Sequence, residues 1–502
     1  MSATVQQTLP RPRKLAILWM APLQAASLFT VWAIGAGAES LRMWILAALV
    51  WLMSMPLLAG IEGTLVAMML FEPLRGLLRR AQYLLVSYSA EDPIHVVTPI
   101  VTLIAFTVLV SRHRFHQFWS TPLAGWVSVL GLIFFLEIFN PLQGGLYVGL
   151  SGSLFVLVPL VWFYFGQAAS EKLVYWALCL IVLVGIVGSL YGLYQLVFGY
   201  PAFEQYWIDN TDFYQSIAVG HVKRALGTFS SAEEWGRYTE IGGIVALGFA
   251  MTTKRVKARA GWLVCFAALV GAILLSGQRT AVFGLLFGIV ALLMFSARNW
   301  RVGAVRVAAL LIPLVLLFVF MQAPTDDEVW GKAEDERVGA VLSHTQRGTL
   351  KPTEEDSLQV RFENWGYLIT SVIPYRPLGA GIGAGSLSDA RSNRDSDLPP
   401  IDNFILVLAI SCGIPAALIF VWILLRAFWL SVRLAGSAEP GTRNASIALV
   451  VAAIVPALFL NSVFGLTFSI YSVAPVAWLL IGWVSAEAFR ARTKPEREVL
   501  VI

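Results

Sequence analysis

Long apolar runs are the feature of this sequence that most restricts its fold. Three of them are Leu173 to Phe198, Ala260 to Leu275 and Val302 to Met321, and each approaches the roughly 20 residues that cross a hydrocarbon core. Only 13% of the 502 residues are charged, whereas a soluble domain carries roughly 25%. The chain is therefore predicted to be an all-α, polytopic transmembrane helical bundle.

Apolar segments of suitable length predict about 12–14 spans. One orientation places nearly all of the Lys and Arg clusters between them on the cytoplasmic side, as the positive-inside rule requires, and both termini are then cytoplasmic. Near the first spans, Arg75, Arg79 and Arg80 also fit an amphipathic segment at the membrane interface. The predicted spans lie near 15–36, 42–58, 60–76, 94–110, 122–139, 144–167, 172–197, 238–252, 259–276, 279–296, 301–322, 401–428, 445–463 and 466–487.

This topology divides the chain into four parts. Residues 1–90 hold the N-terminal spans and an amphipathic segment, and 91–322 form the core of the bundle with an external segment at 199–237. Residues 323–400 form a large, partly helical external loop, and 401–502 hold the C-terminal spans and a cytoplasmic tail. An external loop of this length is usually functional or disordered.

Several classes of function are disfavoured by charge and cysteine usage. The net charge of +5 comes from short basic clusters beside apolar runs, so these clusters indicate membrane anchors rather than nucleic-acid binding. The three cysteines, Cys179, Cys265 and Cys412, all lie in apolar segments without a CxxC spacing. No group of His, Cys, Asp and Glu has the spacing of a metal site, so neither a metal nor a cofactor is predicted.

Positive charge is concentrated near the end of the first external segment, at Lys223, Arg224 and Arg237. The positive-inside bias disfavours this placement, and an anionic partner such as a phosphate would account for it, because a guanidinium grips phosphate oxygens bidentately. The alternative is pairing with nearby carboxylates, for which the sequence offers Glu233, Glu234 and Glu240.

A second candidate is Arg279, which lies where two apolar runs meet with almost no loop between them. The arginine is therefore placed at or just inside the external membrane boundary. An ionisable residue there is costly and by default marks a functional site. The alternative is that its side chain snorkels to the lipid headgroups.

Two further motifs lie in the long external loop. Arg361 and Trp365 are spaced to share a helix face, which suits contact with sugar or phosphate, although Trp365 could equally pack the loop onto the membrane domain. Gly379, Gly381 and Gly383 allow positive φ angles and close backbone approach. They could form an anion-binding nest or a simple flexible loop.

The last candidate pair, Asp402 and Asn403, begins an apolar run at the external mouth of a predicted span. A carboxylate in that position is a candidate general base. It is equally a good helix N-cap, and the two roles can coexist. Asn403 is grouped with the candidate substrate-binding residues.

Taken in order, these motifs resemble the O-antigen ligase and polysaccharide polymerase superfamily, over roughly residues 90–480. Asp402 departs from the pattern, because ligases of this family commonly carry histidine there, and an Asp-Asn pair is more similar to the exopolysaccharide polymerases. Ala232-Glu233-Glu234 also replaces a Pro-Asn that often follows the first motif. The matching residues are Arg224 with Gly227-Thr228-Phe229; Ser276, Gly277 and Arg279; Arg361 and Trp365; Pro377, Gly379, Gly381 and Gly383; and Asp402-Asn403 with Gly413.

The resemblance implies a glycosyltransferase of the bacterial inner membrane that uses an undecaprenyl-diphosphate-linked glycan as donor. Transfer to a glycan acceptor would take place on the periplasmic face, without nucleotide sugar or metal, beside other polysaccharide assembly and export proteins. Arg224 and Arg279 match the two arginines that hold the diphosphate, and Asp402 is the candidate base. Two other functions stay open: a transporter of a glycan lipid or small anion, and a ligase that moves finished polymer to a lipid or protein acceptor.

Overall fold

Helices account for nearly all of the regular structure in the described part of the chain. The predicted span near 15–36 and most of the loop at 323–400 lie outside the described residues. The computed structural model describes residues 40–86, 92–112, 116–211, 218–219, 222–297, 299–321, 339, 341, 356–384, 398–399, 401–439 and 441–493.

The first part of the bundle runs from helix α1 to helix α9, with short 3-10 turns between several of them. The helices are α1 (Ser40–Ser54), α2 (Ile61–Ala81), α3 (Val97–Arg112), α4 (His116–Trp119), α5 (Ala124–Glu137), α6 (Leu146–Leu160), α7 (Trp162–Ala168), α8 (Glu171–Phe198) and α9 (Ala202–Asn210). The 3-10 turns are Met55–Leu58, Gln82–Leu84, Pro93–Val96 and Pro141–Gln143.

The second part begins with two-residue strands, β1 (Ala218–Val219) and β2 (Val222–Lys223), which pair antiparallel. A π-turn at Leu368–Val372 and 3-10 turns at Ile373–Tyr375 and Thr467–Ser469 complete the described elements. The remaining helices are α10 (Ala232–Thr252), α11 (Val256–Leu275), α12 (Arg279–Phe295), α13 (Trp300–Met321), α14 (Asp356–Tyr367), α15 (Phe404–Ser437), α16 (Arg443–Val463) and α17 (Ala474–Thr493).

Seven stretches of the described chain are long and apolar enough to cross a membrane, which confirms the predicted all-α, multi-pass bundle. Two shorter apolar helices, α5 and α12, accompany them. The count of 12–14 spans stays a prediction. The seven are Leu41–Leu58, Pro93–Ser111, Leu146–Ala168, Glu171–Phe198, Val256–Leu275, Phe404–Ser437 and Arg443–Val463.

Loops that were predicted to be external contact one another at one end of the bundle, called here the site end. The amide of Ile382 donates to the carbonyl of Glu137 over 3.2 Å, and the amide of Phe404 donates to that of Gly465 over 3.2 Å. The amide of Leu77, at the end of α2, likewise donates to the carbonyl of Thr228 over 2.8 Å.

The loops predicted to be cytoplasmic meet at the other end of the bundle, called here the basic end. Arg490 Nη2 donates to the carbonyl of Gln167 over 3.2 Å, and Arg443 Nε lies 3.8 Å from Glu171 Oε1. Ser170, beside that pair, donates from Oγ to Glu62 Oε1 over 3.0 Å. The loops predicted to be external and those predicted to be cytoplasmic therefore lie at opposite ends of the bundle, as they must if the basic clusters are on one side of the membrane.

The sidedness of the two ends is testable by cysteine labelling of intact cells, in a background without native cysteines. Tyr375, at the site end, is 82% exposed, so Tyr375→Cys should react with an impermeant maleimide from outside. Cysteines at Arg255 and Arg492, on exposed positions at the basic end, should react only after the membrane is permeabilised. The reverse pattern would invert the predicted topology.

Candidate functional site

An ion pair at the site end joins the external loop to the membrane domain. Arg361, in α14, places Nε 3.1 Å from Asp402 Oδ2, just before the start of α15. The two side chains are 33% and 48% exposed. A pair this open to water contributes about 0–1 kcal/mol to stability, so its carboxylate can exchange partners at little cost.

The cap of α15 is Asn403 and not Asp402. The Asn403 side chain accepts from the amide of Leu406 over 3.0 Å, and the residue has extended backbone angles while being nearly buried. This is the N-cap arrangement in which a side-chain oxygen satisfies an orphan amide at the helix start. The alternative that made Asp402 the cap is therefore wrong, and Asp402 is left to pair with Arg361.

The second residue of the loop motif holds α14 against the membrane domain. The rings of Trp365 and Phe464 have centroids 5.6 Å apart, and Trp365 also meets Phe362 edge-on at 5.4 Å. Arg361 and Trp365 therefore both contact the membrane domain from one helix, at Asp402 and Phe464 respectively. Trp365 therefore packs the loop helix onto the membrane domain, which was the alternative to contact with sugar or phosphate.

Directly beneath this region lies Arg237, which is 1% exposed. Its Nη2 lies 2.7 Å from Glu233 Oε1, and its Nη1 donates to the carbonyl of Asn461 over 3.0 Å and also to Thr467 Oγ1. A Cβ added to Gly465 would lie 2.0 Å from Arg237 Nη2. Arg237 is therefore paired with a carboxylate, which was the alternative to binding an anionic partner. It joins α10 to α16 and lies beside Gly465, whose carbonyl accepts from the first amide of α15.

Arg279 is the first residue of α12 and is half-buried. The turn before it packs against α10, because a Cβ added to Gly236 would lie 2.8 Å from Gln278 Cβ and 3.0 Å from Ser276 Oγ. A cation at a helix N-terminus adds to the positive end of the helix dipole. An anion at this position would therefore be stabilised both by the guanidinium and by the helix end.

The first motif follows β2, on the segment that leads into α10. Arg224 is half-buried, and its carbonyl accepts a hydrogen bond from the Tyr200 hydroxyl. The Lys223 side chain extends to α9, where its Nζ lies 2.8 Å from Asp209 Oδ1. That hydrogen bond lowers the pKa of the Asp209 carboxyl below its usual value.

The backbone of the glycine-rich segment packs closely against neighbouring parts of the protein. Gly379 and Gly381 have φ angles of 103° and 109°, and added Cβ atoms on all three glycines would lie within 2.6 Å of neighbouring atoms. The amides of Gly379, Gly381 and Gly383 donate to the Arg376 carbonyl, the Ser411 carbonyl and Gln143 Oε1 respectively, at 3.0, 2.9 and 3.0 Å. These bonds leave none of the three amides available to form an anion nest, and substrate contact by the glycines stays a prediction.

The same segment fills a break in helix α15. Gly413 has φ 85° and ψ 164° inside the helix, and a Cβ there would lie 2.6 Å from the carbonyl carbon of Leu378. The amide of Ile414 donates to the Pro377 carbonyl over 2.9 Å. The start of α15, which carries the Asp402-Asn403 pair at its mouth, is therefore set off from the rest of the helix and braced by the loop.

The structure gathers part of the predicted set into one place. Arg361 and Asp402 are in contact, and Arg237 lies under them through Gly465. The turn that precedes Arg279 packs on α10 at Gly236, next to Arg237 in the sequence, whereas Lys223 and Arg224 lie on the segment that leads into α10. Within the described residues, no group of three or more His, Cys, Asp and Glu could hold a metal ion.

Sequence reasoning missed a set of buried polar residues on α2, α8 and α9. Arg75, Arg79 and Arg80 are all buried, so their charge is turned toward the protein, and the amphipathic segment at the interface stays a prediction. Arg80 pairs with Glu204 at 2.6 Å. Arginines four and five residues apart on a helix, in a mostly apolar stretch, were the available signal, since such charges pair inward when they enter a membrane domain.

Comparison with known protein families gives one match, to part of the chain. Residues 263–421 match the family model described as O-antigen ligase, which confirms the resemblance to the O-antigen ligase and polysaccharide polymerase superfamily over that range. The range contains Arg279, Arg361 and Asp402. No curated protein matches the chain. The match supports a glycan-processing function of the ligase or polymerase type.

The cap assignment can be tested by comparing Asn403→Ala with Asp402→Ala in detergent. Loss of an N-cap costs about 1 kcal/mol, so Asn403→Ala should lower the thermal unfolding midpoint. Asp402→Ala should lower it less, because an exposed ion pair contributes little. An equal or larger fall in the Asp402 variant would return the capping role to Asp402.

The break in α15 can be tested with Gly413→Ala. The substitution forces a side chain into a positive φ and against Leu378, which should cost about 1–3 kcal/mol and reduce the yield of folded protein. Gly436→Ala is the matched control in the same helix, since a Cβ there meets nothing within 4 Å. Equal stability of the two variants would show that the break is not built on Gly413.

Proposed function

We propose that this protein is a glycosyltransferase of the bacterial inner membrane that polymerises undecaprenyl-diphosphate-linked oligosaccharide repeats on the periplasmic face. The product would be an exopolysaccharide or an O-antigen-like glycan. The observation that carries the proposal is the open carboxylate of Asp402, paired with Arg361 inside the range that matches the O-antigen ligase family. Ligases that this chain resembles carry a histidine at that position.

Asp402 is proposed to act as the general base. It is half-exposed, and the capping role at the helix start belongs to its neighbour. As an acceptor hydroxyl attacks the anomeric carbon of the donor, its proton would pass to the Asp402 carboxylate. Arg361, 3.1 Å away, orients the carboxylate before the acceptor arrives.

Arg224 and Arg279 are proposed to hold the diphosphate leaving group. When the bond between the anomeric carbon and the phosphate oxygen breaks, negative charge develops on the departing diphosphate. Fixed guanidinium groups in a site of low dielectric stabilise that charge. The position of Arg279 at the start of α12 adds the helix end to the same interaction.

A ligase is the second candidate, because the description of the matching family is O-antigen ligase. The chemistry at Asp402 and the arginines would be the same, with finished polymer as the donor and a lipid or protein as the acceptor. Transport of a glycan lipid or anion is disfavoured by the same match, which points to glycan processing.

Deleting the gene and sizing the surface and secreted glycans separates these functions. Loss of polymer with accumulation of lipid-linked single repeats identifies a polymerase. Intact polymer that remains on the lipid identifies a ligase. The absence of any glycan defect supports the transporter and overturns the proposal.

Complementation of the deletion with Asp402→Asn tests the base directly. The variant should insert and fold normally, because Asn403 supplies the cap, but polymer formation should fall by roughly 10²–10⁴-fold. Asp402→His should keep partial activity, since imidazole can also take a proton. The readout is the amount and size of polymer at matched protein level.

Glu363→Gln is the control for the loss of a nearby carboxylate, because Glu363 is an exposed residue of the same α14. It should make normal polymer. An Asp402→Asn variant with full activity would remove Asp402 from the chemistry and leave its pair with Arg361 as a surface contact.

A further inference from the structure

A buried arginine holds the backbone of the turn that follows Arg224. Arg80, on α2, is 1% exposed, and its two Nη atoms donate to the carbonyls of Phe229 and Gly227, each over 2.6 Å. Its Nε lies 2.6 Å from Glu204 Oε1 on α9. All three nitrogens of the guanidinium are therefore engaged, two of them on one turn.

Gln195, on α8, grips the same turn from the other side. Its Oε1 accepts from the amides of Leu226 and Gly227 over 3.0 and 2.8 Å. Its Nε2 donates to both carboxylate oxygens of Glu204, over 3.2 and 3.0 Å. Arg80, Gln195 and Glu204 thus form one hydrogen-bonded network, named here the turn clamp, which holds the turn from two helices.

The backbone of the turn has no room to relax. Gly227 has a φ of 58°, and a Cβ there would lie 2.7 Å from the carbonyl oxygen of Gly188. On the opposite side, a Cβ added to Gly76 would lie 2.1 Å from the carbonyl carbon of Phe229. The turn is wedged between α2 and α8, and the clamp sets its position along them.

Stability alone is a weak reason for such a network. A buried ion pair often contributes no more to folding than well-packed apolar residues of similar volume, because desolvation offsets the Coulombic gain. A bidentate guanidinium does, however, fix backbone orientation with a precision that apolar packing lacks. The residue three positions before Gly227 is Arg224, whose own carbonyl is held by Tyr200.

We infer that Arg80 is a positioning residue for Arg224, acting through the turn clamp. By fixing the carbonyls of Gly227 and Phe229, it holds the Arg224 backbone so that its guanidinium meets the diphosphate of the donor in one orientation. The role of Arg224 in binding diphosphate rests on the proposed function. If Arg80 positions Arg224, α2 belongs to the site although none of the sequence motifs lies on it.

A double-mutant cycle with Arg80→Gln and Arg224→Lys tests this coupling on the purified full-length protein with its lipid-linked donor. Misplacement of a binding group by about 1 Å can cost on the order of 10²-fold in rate, so Arg80→Gln should lower kcat/KM by roughly 10- to 100-fold. In the Arg224→Lys background the same change should cost little more. Additive losses would overturn the inference, because they would show that Arg80 does not act through Arg224.

Arg79→Gln is the matched control. Arg79 is also buried on α2, but it lies 3.5 Å from Asp92 and 5.5 Å from the Trp207 ring, whereas Arg80 binds the carbonyls of the turn itself. Arg79→Gln should show additive behaviour with Arg224→Lys. If Arg79→Gln is as strongly coupled to Arg224 as Arg80→Gln, the effect is general loosening of α2 and the inference fails.

Hydrogen exchange separates failure of the clamp from failure of the proposed function. Arg80→Gln should speed exchange in the peptide that covers 224–229, because the turn loses two backbone anchors, whereas Arg79→Gln should not. Unchanged exchange overturns the clamp whatever the activity. Faster exchange in a protein that proves to have no glycosyltransferase activity keeps the clamp and rejects only the function. If Arg80→Gln does not insert, Glu204→Gln replaces it with the same expected outcomes.

Discussion

Charge that enters a membrane protein must be paired by the protein itself, and this requirement shapes the site end of the bundle. Two fully buried guanidinium groups, Arg80 and Arg237, meet it by bridging elements that are remote in sequence. Arg80 joins α2 to the 199–231 segment through Glu204 and two carbonyls. Arg237 joins α10 to α16 and to the turn at Thr467. Because removing one partner of such a network leaves an uncompensated charge, the loops they hold cannot drift independently of the bundle.

Backbone geometry completes what the buried charges begin. The break at Gly413 separates a short first part of α15 from its long second part, and the Pro377–Gly383 segment fills the gap with backbone hydrogen bonds. Only glycine tolerates the positive φ angles and the close approach of two backbones at these points. The result is a short, braced helix start at the membrane boundary, with Asp402 placed at its mouth.

The polar residues of the site end fall into two groups with different physical environments. Asp402 and Arg361 are open to water, bound to each other by a weak contact that a substrate can replace. Arg80, Arg237 and Glu204 are buried and paired with other protein groups. The proposed transfer from a charged lipid-linked donor would need both kinds of residue. Exposed groups would exchange partners during that reaction, while buried groups would hold the exposed ones in place.

The sequence by itself determined the class of fold and much of the motif set. Span length and apolar composition are properties of a continuous segment, so α3, α8, α11 and α16 lie within a few residues of their predicted limits. The placement of Arg361 and Trp365 one turn apart on the same helix is also local, and it was predicted from their spacing. Arg279 and Asp402 were found because an ionisable residue at a membrane boundary is itself the signal.

Tertiary structure alone decided the roles that depend on distance in space. Asp402 and Asn403 are equally able to cap a helix by sequence, and the backbone angles selected Asn403. Arg237 was a candidate for substrate until its burial against Glu233 and Asn461 was visible. Arg80 and Glu204 are 124 residues apart, and nothing in either segment indicates the other. Ion pairing and capping depend on which chain segments come into contact, and a single sequence does not show which distant segments those are.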